Sequence, residues 1–153
     1  MKIVVVSDSH GKIQILQDIY LKHQHEAQYF LHLGDIEADQ SYVSDYICVC
    51  GNNDYFGEYE LERVVHIPQH NIFMCHSHQF FSSNRISGLV SKGKRLHCDI
   101  VCYGHTHVFH YEVKDNIVLL NPGSLYYNRD GSGSSYAIID IENNQINITR
   151  INL

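Results

Sequence analysis

Basic residues are scarce in this chain. Eleven lysines and arginines face seventeen aspartates and glutamates, a formal charge of -6 with the twelve histidines neutral. Such a field repels polyanions unless something local reverses its sign, so long nucleic acid is a poor partner. The only basic cluster, Lys92, Lys94 and Arg95, reads as a solvated helix end. Long apolar runs are missing too, and no stretch approaches the roughly 20 residues a membrane helix requires. No Cys-x-x-Cys pair occurs among the five cysteines. Cys48, Cys50, Cys75 and Cys102 lie in apolar, strand-like runs, where cysteine acts as a small buried hydrophobe, and their spacing does not support a thiolate zinc site. No repeat, low-complexity tract or linker divides the 153 residues, so one domain (1–153) with a full core is expected. A cleaved signal peptide would remove the first polar motif, so the cytoplasm is the expected location.

What is present reads as alternating elements. Residues 2–7 form a first strand. In 11–23, Ile13, Leu16, Ile19 and Tyr20 recur at helical spacing. Strands are predicted at 28–33, 46–50, 61–67, 71–75 and 99–103, with a second helix over 84–96. The last third changes character: strands at 108–113, 117–121, 136–141 and 145–151 are joined by turns such as Lys114-Asp115-Asn116 and Glu142-Asn143-Asn144. Strand–helix alternation followed by antiparallel strands predicts an α/β fold, a two-layer sandwich of mixed sheets flanked by helices.

The stretch VVVSDSHG (4–11) poses the functional question. Val4, Val5 and Val6 suit a buried strand, and an extended backbone beyond them would aim Asp8 and His10 to one side, as a divalent metal requires. Alone, Asp8 could equally cap the next helix and His10 lie on a surface loop. The pattern recurs, however. Five strands end in metal-competent residues: Asp8 with His10, Asp35, Asn52, His76, and His105 with His107. Ligands collect at the carboxyl ends of strands, and a helix-flanked sheet would bring these loops together.

The series Asp8-x-His10, Gly34-Asp35, Gly51-Asn52-x-Asp54, His76 and Gly104-His105-Thr106-His107 resembles the calcineurin-like metallophosphoesterase superfamily. The match runs from residue 3 to about 124 in the same motif order. With the closing Asn121-Pro122-Gly123-Ser124 and the short length, it resembles the small single-domain bacterial and archaeal phosphodiesterase branch, which shares its fold with the scaffolding subunit of retromer. The resemblance implies two divalent metals. Asp8, His10 and His107 would hold the first and Asn52, His76 and His105 the second, with Asp35 as the bridge. His105 and His107 would serve different metals, which requires the chain to turn between them. Oxygen donors mixed with imidazole, and no thiolate, suit manganese, iron or zinc more than copper; the resemblance makes manganese the first expectation, with zinc, iron and nickel as alternatives.

The same resemblance implies metal-dependent hydrolysis of small phosphate esters, above all phosphodiesters, by a hydroxide bridging two ions about 3.5–4 Å apart. Two ions would add +4 to a chain of -6 and, against Asp8 and Asp35, leave a local +2 to attract and stabilise the phosphoryl group. Asn52 and His76 would take part in catalysis, and Asp54 would orient a ligand or loop unless it simply forms the turn. A phosphomonoesterase or nucleotide pyrophosphohydrolase on the same metals is one alternative; a catalytically weak scaffold is another. The aromatic content is compatible with a homo-oligomer.

Two positions depart from the family pattern. Asn53 stands where many members carry a histidine that protonates the leaving group, so leaving groups good on their own, aryl or nucleoside phosphates, would be favoured. General-acid help is typically worth a hundredfold or more, and His78 would be the residue to replace it. Ser77 stands where glycine is usual and would crowd that loop slightly. His23, His25, His32, His66, His70, His97 and His110 match no motif and read as exposed or strand-filling. Tyr126, Tyr127 and Arg129 follow the Asn-Pro-Gly-Ser turn and could border the site.

Overall fold

The structure is a computed structural model that describes residues 1–55 and 58–153. Among the described residues, ten strands and two α-helices follow in the order β1 (Lys2–Val6), α1 (Ile13–His23), β2 (Ala27–His32), β3 (Ile47–Cys48), β4 (Glu62–Ile67), β5 (His70–Cys75), α2 (Arg85–Arg95), β6 (Ile100–Tyr103), β7 (Phe109–Lys114), β8 (Ile117–Pro122), β9 (Ser135–Glu142) and β10 (Gln145–Asn152). They make two five-stranded sheets, ordered β10-β9-β1-β2-β3 and β4-β5-β6-β8-β7. Each sheet has a parallel core: β1-β2-β3, extended beyond β1 by antiparallel β9 and β10, and β5-β6-β8, flanked on its two sides by antiparallel β4 and β7.

Alternation along the strands sorts three apolar layers. Ile3 and Val5 of β1 meet Ile72 and Met74 of β5 and Ile100 and Cys102 of β6 between the sheets. Val4 and Val6 point the other way, onto Leu16 and Ile19 of α1. Phe73, Cys75, Val101 and Tyr103 cover Leu89 and Val90 of α2. Both faces of the central strands are therefore buried, which is why they read as continuous apolar runs. The expected helix-flanked sandwich is present. Cys48, Cys75 and Cys102 are buried as read; Cys50 is half-buried and lies beyond β3.

β3 is the main departure in length. Only Ile47 and Cys48 pair with β2, against the five residues predicted over 46–50. Val49 makes a last bond to β2, donating to the His32 carbonyl, and Cys50 then donates to the Glu60 carbonyl, so from Cys50 on the segment serves the loop that follows. Among the described residues no helix is long and apolar enough to cross a membrane.

Candidate metal centre

The parallel strands in each sheet end on the same side, and their loops are laced together there. Asp8 donates its amide to the Gly34 carbonyl, and His10 donates its amide to the Asp35 carbonyl, each at 3.0 Å. The backbone in these loops is curled rather than extended, which corrects the sequence reading of Asp8 and His10. Both have positive φ (54° and 45°), as do Asp35, His105 and His107. Left-handed backbone is uncommon for residues with a Cβ and clusters at functional sites. The turn expected between His105 and His107 is present.

Three glycines let the loops close. A Cβ on Gly51 would stand 2.2 Å from Asp35 Oδ1, one on Gly34 2.9 Å from His76 Nδ1, and one on Gly104 2.1 Å from Ser7 Oγ. The Gly-Asp, Gly-Asn and Gly-His pairs of the sequence thus have a steric reason: each glycine makes room for a neighbouring loop's polar side chain.

The donor atoms of Asp8, His10, Asp35 and His107 all lie within 4.8 Å of one another. Asp8 Oδ1 stands 3.1 Å from His107 Nε2, and His10 Nε2 stands 3.9 Å from Asp35 Oδ2. His76 joins from the other sheet, its Nε2 3.4 Å from Asp35 Oδ1 and 3.8 Å from Asp8 Oδ1. The His105 ring centroid is 5.2 Å from that of His76. Asn52 is exposed on the turn after β3.

The fit to a cation follows from the proton positions. His76 Nδ1 donates to the Leu33 carbonyl at 2.7 Å and His107 Nδ1 to the Tyr127 carbonyl at 3.1 Å, since a carbonyl oxygen only accepts. His10 Nδ1 is committed in the same way to the Glu37 carboxylate at 2.6 Å. With Nδ1 so committed, each ring turns its Nε2 inward, the arrangement that outer hydrogen bonds impose on metal-ligating histidines. Asp8 Oδ1 and His76 Nε2 are fully buried and, among the described residues, have no hydrogen-bond partner. Imidazole nitrogens crowded on buried carboxylates call for a positive charge among them, and imidazole plus carboxylate suits a divalent transition metal.

The ionisation balance points the same way. Burial works against the charged form of Asp8 and Asp35, yet the His107, His76, Ser7 and Asn53 groups beside them hold both below the usual carboxylate range. Burial also works against charge on His76, and the two carboxylates outweigh it and raise its pKa. His105 is pushed down to about 4 by burial and by His76, so its ring is neutral.

Four further residues build the site. Asp54 accepts from the amides of Gly51, Ile36 and Glu37 at 2.7, 2.7 and 2.8 Å, tying the turn after β3 to the loop of Asp35. Ser124 donates to the Asp8 carbonyl at 3.0 Å and accepts from the amides of Tyr126 and Tyr127. His32 is buried under the site: its Nδ1 accepts from the Gly34 amide, and its Nε2–H reaches Ser9 Oγ at 2.9 Å. Asn53 donates its amide and its Nδ2 to the two oxygens of Asp35, at 2.9 and 2.8 Å. The sequence offered no signal for His32; the doubled asparagine after Gly51 was the signal for Asn53.

The surroundings of His78, Ser77 and the tyrosines are equally definite. The His78 ring lies 5.6 Å from His76 and 6.4 Å from His105. Ser77, buried with φ 79°, donates to the Gly104 carbonyl at 3.2 Å, so it is accommodated where glycine was expected. Tyr126 and Tyr127 do border the site, packed on His10 and His107. Arg129 contributes its amide, bonded to the His107 carbonyl at 2.8 Å.

Residues 1–144 match the calcineurin-like phosphoesterase superfamily domain. The probable metallophosphoesterase YsnB of Bacillus subtilis is 30% identical over 94% of this chain and 86% of that protein. The phosphodiesterase YfcE of Escherichia coli is 26% identical over 92% and 88%. A predicted phosphoesterase from Streptococcus pneumoniae superposes with a TM-score of 0.92 at 26% identity, covering 99% of this chain and 88% of that one. Vps29 of Entamoeba histolytica complexed with Zn2+ shares the fold at 19% identity, with a TM-score of 0.77 and 99% of both chains covered. The chain belongs to the calcineurin-like phosphoesterase superfamily.

Proposed function

We propose that this protein hydrolyses small phosphodiesters with two divalent ions, manganese foremost, held at the strand ends. Asp8, His10 and His107 would hold one ion, Asn52, His76 and His105 the other, with Asp35 between them. Bound there, the ions would supply Lewis acidity toward the phosphoryl oxygens and an activated water as nucleophile. The observation that carries the reading is the set of inward-facing Nε2 atoms of His10, His76 and His107, each ring held through its Nδ1, around two buried carboxylates.

The chain's own groups then divide the work. Asn53 holds Asp35 by both oxygens, and Asp54 fixes the loop carrying Asn52, so the donors are set before substrate arrives. An amide at position 53 has no proton to give a departing oxygen. The His78 imidazole lies beside His76 and His105, and burial together with His76 holds it below its ordinary pKa. Leaving groups of low pKa are therefore favoured. The relationship to the phosphodiesterase YfcE supports a diester over a monoester.

Hydrolysis of bis-p-nitrophenyl phosphate with manganese tests the reading, using Asp35→Asn as control. Manganese-dependent turnover lost in the variant is the expected result, and a rate retained by Asp35→Asn would defeat it. Comparing p-nitrophenyl phosphate with the diester separates the monoesterase alternative. A protein that binds no manganese in calorimetry would favour the scaffold.

A further inference from the structure

We propose that Tyr126 and Tyr127 form a platform for a flat aromatic ring on the substrate's organic group, so that the site takes nucleoside-type phosphoesters. The inference rests on the phosphoesterase reading for the position of the phosphate. Both side chains remain nearly half exposed (46% and 48%) although each ring is packed against an imidazole of the metal cluster. The Tyr126 ring meets His10 at 5.4 Å between centroids, and the Tyr127 ring meets His107 at 5.3 Å. Substrate held by those imidazoles' ion therefore has aromatic surface immediately beside its phosphorus.

The shape of that surface selects its occupant. The two tyrosine rings stand 5.3 Å apart at 68°, a corner rather than a flat stack. A planar ring entering that corner would stack on one tyrosine and meet the edge of the other, the geometry that aromatic quadrupoles prefer. A flexible acyl chain gains nothing from such a corner. Lys12 completes it: its ammonium sits 4.5 Å over the Tyr126 ring and bonds the Tyr126 carbonyl at 3.3 Å, adding a positive charge at the rim. The platform is also held in place by backbone contacts, the amides of both tyrosines bonding Ser124 Oγ and the Tyr127 carbonyl bonding His107. Loss of the rings thus leaves the anchor of His107 intact. A cavity of about 140 Å³ lined by Tyr46, Cys48, Tyr59 and Arg63 contains none of the proposed ligands and offers the organic group no alternative seat beside the phosphate.

Calorimetric titration of the manganese-loaded protein with adenosine 5′-monophosphate and with ribose 5-phosphate tests the platform, because the two differ only by the base. Stacking on an aromatic side chain predicts about tenfold tighter binding of the nucleotide. That ratio should fall to about one in Tyr126→Ala/Tyr127→Ala and persist in Tyr126→Phe/Tyr127→Phe, which keeps the rings. Equal affinity for the two ligands, no binding of either, or a preference that survives the alanines would overturn the proposal. The phosphoesterase reading is judged separately by diester turnover. A protein that binds nucleotide through the tyrosines and hydrolyses nothing would sink that reading and leave the platform standing.

Discussion

His10 and His107, 97 residues apart in the chain, bring their Nε2 atoms to 3.3 Å from each other. Each has its Nδ1 committed outward, to Glu37 and to the Tyr127 carbonyl, so both rings turn Nε2 toward the same point. A divalent ion held there would satisfy both. Manganese should therefore raise the melting temperature of chelator-treated protein. At a hundredfold excess over the dissociation constant the gain is about 2.7 kcal/mol, or roughly 5–10 °C for a chain of this size. In His107→Ala the shift should shrink to a small fraction of that. An equal shift in both proteins would mean that the ion binds elsewhere.

The close packing of Gly51 on Asp35 makes a steric prediction. A methyl group there would overlap the Asp35 amide nitrogen and Oδ1, both at 2.2 Å, and neither is the free end of a flexible chain. Asp35 must move by an ångström or more, and misplacement on that scale costs about a hundredfold in rate. Gly51→Ala should therefore remain folded by circular dichroism, lose metal-induced stabilisation and lose diester turnover. Full activity in this variant would show that Asp35 is not a ligand.

Some of this was legible in the sequence and some was not, for physical reasons. Apolar runs with flanking turn residues report burial and length, so Val4–Val6, Phe73–Cys75 and Val101–Tyr103 marked the central strands. Ligand-type residues at their ends are local features, and Asp8, His10, Asp35, His76 and His107 are indeed gathered. Backbone curl is not encoded in periodicity, so an extended Asp8-Ser9-His10 was the default until the amide bonds to Gly34 and Asp35 showed otherwise. His32 was silent because its partners, Ser9 and the Gly34 amide, come together only when β1 and β2 pair. The brevity of β3 depends on which carbonyl the Cys50 amide reaches, a tertiary fact.

Ser77 carries two opposing effects that mutation can separate. Its φ of 79° strains a residue with a Cβ by about 1 kcal/mol or somewhat more, and its hydroxyl donates to the Gly104 carbonyl, which contributes about 1 kcal/mol. Ser77→Gly removes both and should leave stability within about 0.5 kcal/mol of the natural chain. Ser77→Ala keeps the strain, loses the bond and should fall by about 1 kcal/mol. Urea midpoints of chelator-treated protein give both numbers. A Ser77→Ala as stable as the natural chain would show that the hydrogen bond contributes nothing.

His32 predicts the pH response. Its ring is fully buried, and burial pushes its pKa down from the ordinary 6.5 to about 4. The folded state therefore resists a proton that the unfolded chain accepts readily. Above about pH 6.5 neither form is protonated and the residue adds no pH dependence. Between 6.5 and 4 the unfolded chain binds the extra proton, so stability falls as pH falls, by about 1.4 kcal/mol per unit and about 3 kcal/mol in total. Below 4 both states are charged and the loss levels off. His105, also held near 4 but half-buried, adds a smaller share in the same window. Chelator-treated His32→Gln cannot take that proton, so the stability gap between it and the natural chain should narrow by about 1 kcal/mol for each unit between pH 6.5 and 4.5. Urea unfolding at several pH values measures the gap. A gap constant across that range would mean that His32 titrates alike in both states, and that its ring is not sealed between β1, β2 and the metal centre.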